Sequence, residues 1–128
     1  MSFKQSINSF ISNFRSTQDS VFKIKTTNAV SVFKILPKLL KYNCISRYCV
    51  KDNFIYVYKT IESSRLTTAF IPKHRSNVSY FELQSLMYKH PTVVYIVSTT
   101  VGILDNDEII KLKIGGNLLF IIKYKNTI

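Results

Sequence analysis

The residues best suited to chemistry form a hydroxyl-rich turn, Ser98-Thr99-Thr100, followed by Gly102 and, after a short interval, by Gly115-Gly116. Serine and threonine hydroxyls both donate and accept hydrogen bonds. They can therefore meet ribose 2′-OH groups and base edges in the shallow minor groove of an RNA helix. A helix N-terminus shortly after the turn, together with free backbone amides, would add attraction for phosphate.

Catalytic constellations are not expected. The sequence has no glycine-rich phosphate loop, no nucleophile elbow and no cluster spaced as metal ligands. Asp105, Asp107 and Glu108 are concentrated where a helix would begin, and a helix N-terminus favours negative side chains without any proton chemistry. His74, between Lys73 and Arg75, suits a phosphate-facing loop better than a proton relay. Cys44 and Cys49 have the wrong spacing for a zinc knuckle, and His74 and His90 are far from them in sequence. Both cysteines are expected as buried or half-buried thiols, at the end of a helix and the start of a strand, in a reducing compartment. The expectation is a non-enzyme without cofactor, metal or small-molecule substrate.

Charge points the same way. Eighteen Lys and Arg against seven Asp and Glu give +11 and a pI near 9.8 over 128 residues. So basic a chain repels itself unless a polyanion screens it, which favours nucleic acid or an acidic surface as partner. No apolar run approaches the roughly 18 residues needed to span a bilayer, so no membrane is expected. Residue usage leans to types with A- and T-rich codons: 14 Lys against 4 Arg, with 16 Ile and 9 Asn. That bias fits an organelle genome, or an AT-rich bacterium. The start shows neither an Arg-rich presequence nor a signal-peptide core, so synthesis where the protein works is expected.

These residues need elements to hold them. Phe3, Ile7, Phe10, Ile11 and Phe14 make the stripe of an amphipathic helix, capped by Ser2 and closed by the polar run from Ser16 to Ser20. Val21–Lys25 reads as a half-buried strand. Thr27-Asn28 offers a cap for a second helix with Ala29, Val32, Phe33, Leu36 and Leu40 on one face. Pro37 must kink it or split it in two, and Asn43 can stop it in the left-handed region. Residues 45–51 and 54–60 form a hairpin around the two-residue turn Asp52-Asn53. Glu62-Ser-Ser-Arg65 marks a boundary. Strands are expected at Leu66–Ile71 and Val78–Tyr80, separated by a basic turn from Pro72 to Asn77. A short helix follows from Phe81 to Lys89, with Leu83, Leu86 and Met87 inward and Pro91 stopping it. Thr92–Thr99 is a strand that Gly102 breaks. Asp105 caps a short helix with Glu108 three residues on, Gly115-Gly116 ends that helix, and Asn117–Tyr124 is the last strand.

The spacing Ser98-Thr99-Thr100-x-Gly102-Ile103, a short helix, then Gly115-Gly116 before a hydrophobic strand, resembles the C-terminal signature of small-subunit ribosomal protein eight, whose members carry Ser-Thr-Ser-x-Gly and Gly-Gly-Glu at this separation. Phe10-Ile-Ser-Asn-Phe-Arg15 resembles that family's first helix, and Leu40 to Ile45 the end of its second. The resemblance implies an α+β protein of two small lobes. An N-terminal lobe, 1–63, carries two helices on a three-stranded sheet. A C-terminal RNA-binding lobe, 64–128, is mostly β with short helices. It implies a structural constituent of the small ribosomal subunit that docks on a stem of the small-subunit ribosomal RNA beside neighbouring small-subunit ribosomal proteins. By position, Ser98, Thr99 and Thr100 match the contact loop, Gly102 the glycine after it, and Gly115 and Gly116 the turn beside it. Arg15, Lys23, Lys25, Lys73, His74 and Arg75 are candidates for backbone phosphates. Asn117 replaces the family's usual Glu, and Pro72-Lys-His-Arg75 replaces its Ser-Lys-Pro-Gly. With the codon bias, the expected location is the mitochondrial ribosome in the matrix, with a plastid or the cytoplasm of an AT-rich bacterium as the other settings. A competing reading is a basic module that docks its Phe-rich first helix into a protein partner or an acidic membrane.

Overall fold

A computed structural model of the chain describes residues 3–17, 19–28, 30–60, 66–68 and 77–123. The architecture is α+β, with helices interleaved among antiparallel sheets. The chain divides into two compact units, Met1–Leu66 and Thr67–Ile128. The boundary expected at 63/64 lies outside the described residues.

The first unit begins with helix α1 (Phe3–Ser16), whose Ile7, Phe10, Ile11 and Phe14 are all buried, as the periodicity predicts. Ser2 and the side chain of Phe3 lie outside the described residues. Strand β1 (Val21–Lys25) delivers Phe22 edge-on to the rings of Phe10 and Phe14, with centroids 5.6 and 5.7 Å apart. Phe10 and Phe14 of the stripe are therefore consumed by the chain's own core. At the end of α1, Thr17 Oγ1 donates to Asn13 O at 2.8 Å. Lys59 Nζ reaches across to donate to Phe14 O at 2.6 Å and Thr17 O at 2.5 Å. A cation on the last carbonyls complements the helix dipole. Desolvation nevertheless holds the Lys59 ammonium below the usual lysine range, with Asp19 pulling the opposite way.

The second helix departs from expectation in two respects, its start and its buried face, and of the two outcomes expected at Pro37 it excludes the split. Thr26–Asn28 form a 3₁₀ turn, so Thr27 and Asn28 belong to that turn rather than simply capping helix α2 (Val30–Lys41). The buried face is Val32, Ile35, Leu36 and Leu39, whereas Phe33 and Leu40 are 38% and 37% exposed. An i, i+3, i+4, i+7 stripe from Val32 leaves Phe33 and Leu40, seven residues apart, together on its flank. Pro37 does not split the helix, which runs through it. The carbonyl it deprives of a partner is that of Phe33, and because Pro37 and Phe33 are both exposed, water can reach it. Asn43 stops the helix at φ 60°, as expected. The Cys44 amide donates to Leu39 O at 2.9 Å and the Asn43 amide to Leu40 O at 3.1 Å, a Schellman closure.

Strands β2 (Ile45–Lys51) and β3 (Phe54–Lys59) form the expected hairpin, with Asp52 at φ 52° and Asn53 at φ 66°. The sheet order is β1-β3-β2. Phe22, Ile55 and Val57 share the inner face by register and alternation. Val21, Lys23 and Lys25, with Tyr58, Tyr56 and Phe54, and Arg47, Cys49 and Lys51, occupy the other. Cys44 is buried, but Cys49 is exposed in the middle of β2, opposite Tyr56, because alternation turns it outward.

The second sheet, which lies in the second unit but for Leu66, has the order β4-β8-β6-β7, with β5 also paired to β8; these strands are Leu66–Thr68 (β4), Asn77–Val78 (β5), Val93–Thr99 (β6), Gly102–Leu104 (β7) and Gly116–Lys123 (β8). Helix α3 (Tyr80–Lys89) starts where a strand residue was expected at Tyr80. The reason is a capping box: Ser79 Oγ accepts from the Glu82 amide at 3.1 Å, and the Glu82 carboxylate faces the Ser79 amide. Helix α4 (Asn106–Leu112) has the expected Asp105–Glu108 box, with Asp105 fully buried. Gly115-Gly116 does not end α4; Lys113 does, in the left-handed region at φ 55°. One face of the sheet packs Val78, Leu83, Tyr95, Val97, Leu104, Ile109 and Leu118 into a single cluster. Val94, Ile96, Phe120 and Ile122, on the other face by alternation, are buried too.

Candidate nucleic-acid interface

The hydroxyl segment lies in a tight hairpin. Thr99 pairs with Gly102, so Thr100-Val101 is the loop between β6 and β7, where the glycine was expected only to break a strand. Neither Thr nor Val favours the left-handed backbone of an ordinary two-residue turn. Two devices compensate. Gly102 takes φ 120°, open only to a residue without Cβ, although nothing would touch a Cβ there. Thr99 Oγ1 donates to Gly102 O at 2.7 Å and accepts from the Val101 amide at 3.2 Å. The Thr99 hydroxyl is thus occupied in closing the turn.

Alternation puts Ser98 on the opposite side of β6 from Thr99. Ser98 stands in a row with Ile103, Asn117 and Asn77 across β7, β6, β8 and β5. Two glycines let the strands meet here. A Cβ on Gly116 would overlap Ser98 O and press on Val97 Cγ1, and one on Gly115 would overlap Val78 O and the start of α3. Ser98 is half-buried and Thr100 exposed. Asn117 Oδ1 is buried with no hydrogen-bond partner among the described residues. An unsatisfied acceptor costs about 1–3 kcal/mol, which an incoming donor would recover.

A side chain absent from the sequence-based candidates braces the same strand. Asn106 Oδ1 accepts from the Tyr95 amide at 2.8 Å, and Asn106 Nδ2 donates to Val93 O at 2.9 Å. The amide acts as one residue of an extra strand along the part of β6 that β7 does not reach. No local pattern announces such a contact. Nearby, burial pushes the Tyr95 phenol above its ordinary range.

No protein-family model matches this chain, and no curated protein matches it.

The structure thus brings together Ser98, Thr99, Thr100, Gly102, Gly115 and Gly116. Arg15, Lys23 and Lys25 are exposed on the first unit, at the end of α1 and along β1. Lys73, His74 and Arg75 lie outside the described residues. Among the described residues no group of His, Cys, Asp or Glu is placed to hold a metal ion, and no helix is long and apolar enough to cross a membrane.

Proposed function

We propose that this chain is a structural, RNA-binding constituent of the small ribosomal subunit, docking through the β6–β7 hairpin on a stem of the small-subunit ribosomal RNA. The observation carrying the reading is Ser98 set against Gly116 and Asn117, beside a turn held by Thr99 and Gly102. That arrangement presents hydroxyls on a tight, low-entropy support, which suits 2′-OH and minor-groove contact. Two helices with a three-stranded sheet, followed by a β-rich unit, also agree with what the resemblance to ribosomal protein eight implies. The net charge of +11 supplies the phosphate attraction. Neighbouring small-subunit proteins are the expected protein partners, and the codon bias supports a mitochondrial ribosome as its location.

The RNA reading is favoured over the partner-or-membrane one because Ile7, Phe10, Ile11 and Phe14 of the α1 stripe are buried, with Phe10 and Phe14 against Phe22. Replacing Ser98 and Thr100 together by alanine, with Thr99 kept to hold the turn, is expected to weaken binding to the cognate stem about tenfold in a filter titration, from two lost hydrogen bonds. Unchanged affinity in a folded variant would remove the hairpin from the interface. Sedimentation with liposomes rather than ribosomal particles would overturn the ribosomal reading.

A further inference from the structure

The outer face of the first sheet is the most distinctive surface outside the hairpin. Phe54, Tyr56 and Tyr58 occupy alternate positions of the central strand β3, so successive rings stand about 6.6 Å apart on one face. All three are half-buried rather than covered. Cations flank them in register: Lys25 and Lys51 beside Phe54, Lys23 beside Tyr56, and Arg47 beside Tyr58. Lys23 Nζ sits 4.0 Å from the Phe54 centroid, and Arg47 Cζ 4.1 Å from that of Tyr58. None of the residues in the three strands is Asp or Glu.

We infer that this face is a second RNA site, a stacking platform for a single-stranded segment whose bases lie on Phe54, Tyr56 and Tyr58 while Lys23, Lys25, Arg47 and Lys51 take its phosphates. The rings offer flat π faces to unpaired bases, a recognition mode that tolerates many sequences and is denied to a duplex, whose bases are already stacked. The cations now lying over the rings, Lys23 over Phe54 and Tyr56 and Arg47 over Tyr58, mark those faces as attractive to a flat or positive group, and each can swing outward to a phosphate as a base replaces it. An acidic protein surface would satisfy the charges but leave a column of three aromatics unexplained. The inference stands apart from the hairpin docking: it shares Lys23 and Lys25 with the phosphate candidates of the ribosomal reading, but Phe54, Tyr56, Tyr58, Arg47 and Lys51 have no part in that reading.

The test uses the full chain and a fluorescein-labelled, unstructured RNA of about ten nucleotides, within the roughly 4–16 covered by one single-strand-binding domain. Anisotropy titration is expected to show binding that Tyr56→Ala weakens about tenfold and Tyr56→Phe leaves within about twofold, because the π face and not the hydroxyl is used. Should Tyr56→Ala melt early by circular dichroism, Lys51→Glu, exposed on the edge strand, carries the test instead, with an expected loss of about fivefold. Removing Arg47 and Lys51 as glutamines is expected to flatten the salt dependence by about 0.7 for each cation. The Ser98→Ala/Thr100→Ala variant is expected to keep this affinity within about twofold, because neither residue belongs to the aromatic column or its flanking cations. Equal affinity for folded Tyr56→Ala, an equal loss in Tyr56→Phe, or equal competition by polyglutamate would overturn the proposal.

Discussion

Two tight hairpins among the described residues close in different ways. Between β2 and β3, Asp52 and Asn53 both take positive φ, so their own backbone makes the turn, and Thr26 donates its amide at 3.0 Å and its hydroxyl at 3.2 Å to Asn53 O. Between β6 and β7, Thr100-Val101 does not favour that backbone, so closure depends on the Thr99 hydroxyl, on Gly102 at φ 120°, and on Gly116 admitting β8 against Ser98. The first hairpin takes its turn conformation from its own two residues, whereas the second takes it from the residues that flank and face it. A turn supported by its flanks leaves its two tip residues free of conformational demands, and Thr100 and Val101 stand there exposed.

The sharpest way to break this contrast is Gly116→Ala. Its Cβ would meet backbone rather than a yielding side chain, so the cost is expected at the top of the overpacking range, about 3 kcal/mol or more. Urea unfolding measures it, and a loss below about 1 kcal/mol would mean that β8 can back away from Ser98. Asn106→Ala comes next. It leaves the Tyr95 amide and Val93 carbonyl unpaired beside a buried strand, for about 2 kcal/mol and faster hydrogen exchange at Tyr95. Thr99→Val keeps the shape but loses both turn bonds, and is expected to cost about 1 kcal/mol by thermal melting. In the first hairpin, Asn53→Gly is expected to change stability by under about 0.5 kcal/mol, because the position asks only for positive φ. A loss as large as that of Thr99→Val would erase the distinction between the hairpins. The smallest effect concerns pH. Burial raises the folded pKa of Tyr95 above the ordinary tyrosine value of 10.0. Its contribution is therefore complete below pH 10.0 and is lost as pH rises through the folded value. Comparing urea midpoints of the native chain and Tyr95→Phe from neutral to alkaline pH should show the native chain losing relative stability only above 10.0.

How much was legible follows the same division. The α1 stripe, the Asn43 stop, the Asp52-Asn53 turn and the Asp105–Glu108 box were readable because each is decided within a few residues. Ser79-x-x-Glu82 was equally local and went unused, which put Tyr80 in a strand instead of at the head of α3. The buried face of α2 was misread because Phe33 and Leu40 are as apolar as Ile35 and Leu39, and only the neighbours decide which side is covered. Gly115-Gly116 looked like a helix stop. Its use is steric, and the steric partners, Val78, Ser79 and Ser98, are remote in sequence.

By itself, then, the sequence determined most of the elements, the Asn43 stop, the Asp52-Asn53 turn, the Asp105–Glu108 box and a net charge of +11, since these depend on covalent geometry, local hydrogen bonding and composition. Tertiary structure alone decided that Ser98 and Thr99 serve opposite faces, that Asn106 stands in for a missing strand, and that Lys23, Lys25, Arg47 and Lys51 converge on one aromatic column. Those facts depend on strand register between distant segments, and register is set by which side chains share a core.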